Sequence, residues 1–165
     1  MSATVAGTFL DATAVQLAAR AGLAGVRIFT CPVLPEDLGK EAIELGEEIP
    51  IQREIASMGS SDVEESFTVP GSILVAKSFA KSTTLQATIN AAAKAARDRA
   101  LAILEEVTDE LATNDTMATG TPAVGTVRDV QMGEFTIRQA MAPEGQLGRV
   151  CWVEFTLEVQ NHTSA

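Results

Sequence analysis

From Ser82 to Asp115, in "STTLQATINAAAKAARDRALAILEEVTDELATND", the apolar residues Leu85, Ile89, Ala92, Ala96, Ala100, Ile103, Val107 and Leu111 advance by three or four positions throughout. That spacing describes one stripe of an α-helix and no strand. Ser82 or Thr83 can cap its start, and Thr113, Asn114 and Asp115 suit its end. A helix of about 28 residues is a rod of roughly 42 Å. Its alanine-rich stripe lets the rod lie close against a sheet.

The remaining segments read mostly as strands. "GRVCWVEFTLEVQNH" at 148–162 alternates, with Cys151, Val153, Phe155, Leu157 and Val159 on one face and Trp152, Glu154, Thr156 and Glu158 on the other. "TVRDVQMGEFTIRQAMA" precedes it across "PEGQLG", whose composition is that of a turn, and is expected to form a second hairpin with it. Ile49, Ile51 and Ile55 share one parity, and Phe67, Val69, Ile73 and Val75 share another, which predicts a long hairpin with a polar tip at 58–65. Pro70 and Gly71 interrupt its second arm, so an edge position or a bulge is expected near 70. "VRIFTCPVL" at 26–34 predicts a strand ending at the prolines, and "EAIELGEE" a short one after it. Leu10, Ala14, Leu17 and Ala21 mark a first helix over Thr8–Ala21, stopped by Gly22. The fold class is therefore α+β: a single, mixed, mainly antiparallel sheet with one long helix and a shorter N-terminal helix packed on it.

The 165 residues suit a single domain, 1–165, with flexibility expected in the first few residues and over 161–165. Cys31 and Cys151 lie far apart in a chain with no secretory segment, which predicts two buried thiols in a reducing cytoplasm rather than a bridge. Apolar runs are too short for a membrane helix. A formal charge of −10 with scattered basic residues argues against a free-standing nucleic-acid binder. "NHT" at Asn161 is an acceptor sequon only in a secreted protein.

Reactive chemistry is sparse. Gly120 and Gly125 have phosphate-loop spacing, but Thr126 and Val127 stand where Lys and Ser or Thr belong. His162 is the lone histidine, near the end of the chain, and no zinc spacing exists. The pairs Glu47–Glu48, Glu64–Glu65 and Glu105–Glu106 diverge on strand or helix and are read as solvated. No enzyme, metal site or cofactor is expected.

Three features read as surfaces for other proteins. Helical projection places Leu101 among Gln86, Asn90, Lys94, Glu105 and Thr108, away from the apolar stripe. Trp152 points opposite to the core parity of its strand, and Trp152→Ala is expected to weaken assembly more than folding. The hairpin tip at Gly59, Ser60, Ser61 and Asp62 can reach a partner.

The arrangement as a whole resembles the tail terminator proteins of long-tailed bacteriophages, the lambda-type minor tail protein U family. The resemblance rests on the early helix, "VRIFTCPVL", the hairpin into "EESFTVPGSILV", the helix "AAKAARDRALAILEEVTDEL" and the closing "GRVCWVEFTLEV", covering about residues 10 to 160. "ATNDTMATGTPAVG" looks like a longer, Thr-rich version of the family's turn after the long helix. The resemblance implies a homo-hexameric ring on the completed tail tube at the head-proximal end of the virion tail, assembled in the host bacterial cytoplasm. Its partners would be itself, the tail tube protein and the head–tail connector, with DNA passing through the lumen without specific binding. An acidic lumen would keep that DNA from sticking. A portal-side head–tail adaptor is the alternative, followed by a small ligand-binding module or a metal-dependent enzyme.

Overall fold

In chain order the elements are α1 (Ala6–Ala19), a 3-10 turn (Ala21–Leu23), β1 (Arg27–Phe29), β2 (Glu41–Leu45), β3 (Ile51–Ile55), β4 (Val63–Ser78), α2 (Gln86–Thr113), β5 (Val127–Met141) and β6 (Gly148–Thr163). They come from a computed structural model that describes residues 4–33, 38–55, 63–79, 86–113, 127–141 and 148–163. The strands form one six-stranded sheet in the order β1-β2-β4-β6-β5, with β3 paired to β4 beside β2. Among the described residues, β1–β2 is the parallel pair and the other pairs are antiparallel. This is the expected α+β arrangement.

Helical periodicity is realised in α2. Ala96, Ala100, Ile103, Leu104, Val107 and Leu111 are buried against the sheet. In β6, Cys151, Val153, Phe155, Leu157 and Val159 all face that core, while Trp152, Glu154, Thr156 and Glu158 turn to the opposite face. The core thus occupies one side of the sheet, between strands and helices.

At its core α1 differs from the expected stripe, because it runs from Ala6 to Ala19 and buries Phe9 and Thr13 beside Leu10 and Leu17. Phe9 meets Phe67 edge to face, with ring centroids 5.6 Å apart. The Thr13 hydroxyl donates to the Phe9 carbonyl at 2.8 Å, which makes its burial tolerable. The expected 26–34 strand is cut to Arg27–Phe29: only these residues find partners on β2, and Pro32 has no N–H to continue a ladder. Cys31 is exposed, not buried as expected; Cys151 is buried, and both are free thiols.

Pro70 also corrects an expectation. It lies neither on an edge nor at a bulge: β4 pairs with β6 over 16 consecutive residues, with Pro70 opposite Thr156. Its carbonyl accepts from Gly46 N–H at 2.8 Å on the side away from β6. In an antiparallel strand N–H and C=O of one residue point the same way, so the missing donor falls between β2 and β3, where no strand pairs with it. Next to it, Gly71 leaves room for Phe155, since a Cβ there would come within 2.4 Å of the ring.

Candidate assembly surfaces

The candidate residues do not converge. Gly59, Ser60, Ser61 and Asp62 lie outside the described residues. Leu101 is exposed on the helix-covered side, whereas Trp152 is half-buried on the opposite, open face of the sheet. Two surfaces therefore need separate treatment.

On the open face, strand alternation sends polar side chains outward from all the long strands. An open groove of about 510 Å³ lies there, with Trp152, Pro70 and Thr156 beside Glu44, Glu47, Glu134 and Glu154. Arg138 reaches Glu154 at 3.1 Å at the edge of this groove. Trp152 stands opposite Leu74 in the β4–β6 ladder, and Leu74, Ala42 and Val150 are buried outside the main core. Trp152 therefore borders a small apolar cluster of its own as well as the carboxylate groove.

The lateral flank at β5 was hidden in the sequence. Phe135 and Ile137 have core parity, opposite Phe155 and Val153, yet are 52% and 38% exposed. Met141 is 73% exposed on the same face, and Leu101 sits on the α2 flank one turn beyond Arg97, whose charge reaches Cys151 on β6. The opposite α2 flank is the one bound to the rest of the fold: Arg99 reaches Glu41, and Glu106 and Glu110 hold Arg20 at 2.6 and 2.8 Å. Parity alone marks 135 and 137 as core; only the width of α2 leaves them uncovered.

Buried polar groups are structural in their geometry. Glu65 accepts hydrogen bonds from Thr4 Oγ1 at 2.6 Å, Val5 N–H at 3.2 Å and Arg53 Nε at 2.9 Å, tying the start of α1 to β3 and β4. Asn161, paired with Glu65 across the ladder, has both side-chain amide atoms buried without a partner. Burial tends to raise the Glu41 carboxyl, but hydrogen bonds from Lys77 and Arg99 overcome it and hold the group below its ordinary value. Burial pushes the Cys151 thiol up, against the opposing charge of Arg97, leaving it poorly nucleophilic. Among the described residues no three His, Cys, Asp or Glu side chains are grouped to hold a metal, and no helix is long and apolar enough to cross a membrane.

No protein-family model matches the chain, and no curated protein matches it. Among solved structures, it is similar to a chain in "Virion of native gene transfer agent (GTA) particle", with 18% identity and a TM-score of 0.49, over 97% of this chain and all of that one.

Proposed function

We propose that the chain is a structural assembly subunit of a virion, not an enzyme and not a small-molecule receptor, and that it works without cofactor or metal. Within that class, its sequence pattern points to the tail terminator of a long-tailed bacteriophage. Copies would form a six-membered ring on the completed tube, stop its growth and present a surface to the head connector.

The observation that carries this reading is the one-sided sheet. Helices cover one face, and the other bears Glu44 on β2, Glu134 on β5, and Glu154 and Glu158 on β6, beside an open groove. A face lined by carboxylates suits the wall of a passage for DNA, because phosphates are repelled and no counterions are released by binding. Leu101 is a candidate contact toward a neighbouring copy, while Trp152 stands on the open face beside buried Leu74, Ala42 and Val150.

Purified protein incubated with isolated tail tubes and imaged at the tube ends tests the proposal. A ring on one end, with elongation stopped, supports the terminator. Binding to filled heads but not tubes favours the portal-side adaptor, and binding to neither removes both readings.

A further inference from the structure

Among the described residues the exposed large apolar side chains are Val15, Ile51, Leu101, Phe135, Ile137 and Met141. Four of them lie along β5 and the adjoining flank of α2. The other two lie on α1, which packs beside β1, and on β3, at the other side of the sheet. Exposed apolar side chains thus cluster at β5 and stand singly on α1 and β3, so the two sides of the sheet are different surfaces. Two unlike surfaces on one chain suit a heterologous contact, which closes into a ring when the rotation between copies allows it.

The strand ladder sharpens this. Along the register, Arg27 aligns with Ala42, Leu74, Trp152 and finally Arg138; Phe29 aligns with Glu44, Ser72, Glu154 and Thr136. The edges β1 and β5 therefore stand at the same height. Counting the senses of successive pairs, β1 runs opposite to β5. A copy placed alongside by rotation about an axis parallel to the strands brings its β1 against β5 antiparallel, with no step along the strands. Zero step is what separates a closed ring from a helical filament.

The β5 edge is suited to such pairing. Its irregularities fall at Val127/Asp129 and Met132/Phe135, leaving Phe135–Met141 in unbroken register with β6. A flat apolar edge without bulge or proline is a template for another strand. Charge favours unlike edges as well: Lys94, Arg97, Arg138 and Arg149 border this stretch with Asp98 and Glu134, whereas Glu47, Glu48 and Glu54 mark the opposite side with Arg27 and Lys40. Arg53 on that edge is taken up by Glu65. A β5-to-β5 contact would instead oppose like charge. The guanidiniums brought abreast, Arg27 and Arg138, are each engaged within their own subunit, the latter by Glu154.

We propose that the β5 edge of one copy pairs antiparallel with the β1 edge of the next, joining the sheets into a ring with helices outside and the carboxylate face inside. This rests on the ring reading and names its subunit contact. The test is Arg27→Cys combined with Arg138→Cys in a Cys31→Ser background. The two positions are four strand spacings apart, about 19 Å, while a disulfide needs Cα atoms within about 7 Å. Only different copies can therefore be linked.

Mild oxidation should give a ladder on non-reducing gels ending at one ring size, with the control pair Arg27→Cys and Thr68→Cys at least tenfold less linked. Ile137→Lys with Met141→Lys, both at exposed positions, should abolish the ladder at unchanged Tm. Absence of the ladder in protein that still caps tail tubes overturns the contact and leaves the terminator reading standing. A ladder in protein that caps no tube supports the contact and overturns that reading. Dimers formed by Arg138→Cys alone, or a control that links equally well, overturn the contact.

Discussion

At the scale of single residues, the side chains that look most functional in the sequence have a local physical role. Trp152 faces Leu74 across the ladder beside buried Ala42 and Val150. Removing a half-buried indole should therefore cost about 1–3 kcal/mol. We expect Trp152→Ala to lower Tm while the folded fraction still associates, the reverse of the expectation from parity alone; normal Tm with lost association would restore Trp152 as a contact. Asn161 is the opposite case. Its amide atoms are buried without partners, so Asn161→Leu, which has the same branching, should be neutral or stabilise by about 1 kcal/mol, read from the chemical denaturation midpoint. Gly71→Ala forces a Cβ into Phe155 and should destabilise by about 1–3 kcal/mol. A Tm unchanged by that substitution would mean the ring has room to move.

At the scale of elements, Glu41 joins β2 to β4 and α2 through Lys77 Nζ at 3.0 Å and Arg99 Nε at 2.9 Å. Its carboxyl is held below its unfolded value, so its stabilisation is present above the ordinary glutamate range and is lost as pH falls through the folded value. Glu41→Gln should cost about 1–2 kcal/mol at neutral pH and flatten the acid limb of a Tm-against-pH curve; an acid limb as steep as wild type would place the titration elsewhere. The legibility of each element followed its length. α2 and β6 could be read because one period dominates many consecutive positions. β1 was read at the right place but too long, because only three of the nine residues at 26–34 find partners on β2. Pro70 misled because the rule against central prolines concerns a missing donor, and here that donor faces a gap between two short strands. For the candidate surfaces, Leu101 was visible by helical projection. Phe135 and Ile137 were not, since their alternation is that of core residues and their exposure depends on how far α2 extends sideways.

At the scale of the whole molecule, the formal charge of −10 is unevenly spread, with carboxylates prominent on the open sheet face. If that face lines a passage, reversing Glu154 and Glu158 to Lys should leave the isolated subunit folded but retain DNA in the assembled particle, with retention that weakens as salt rises. Ejection as fast and as salt-independent as wild type would show that the face is turned away from DNA. Finally, the β4–β6 ladder holds 16 successive backbone pairs with Pro70 set so that none toward β6 is lost. A load applied along the strands would meet these bonds in parallel, as a shear clamp, whereas a load across them would open the sheet one pair at a time. A subunit standing with its strands along a tail would therefore be stiffest in the direction in which the tail is pulled.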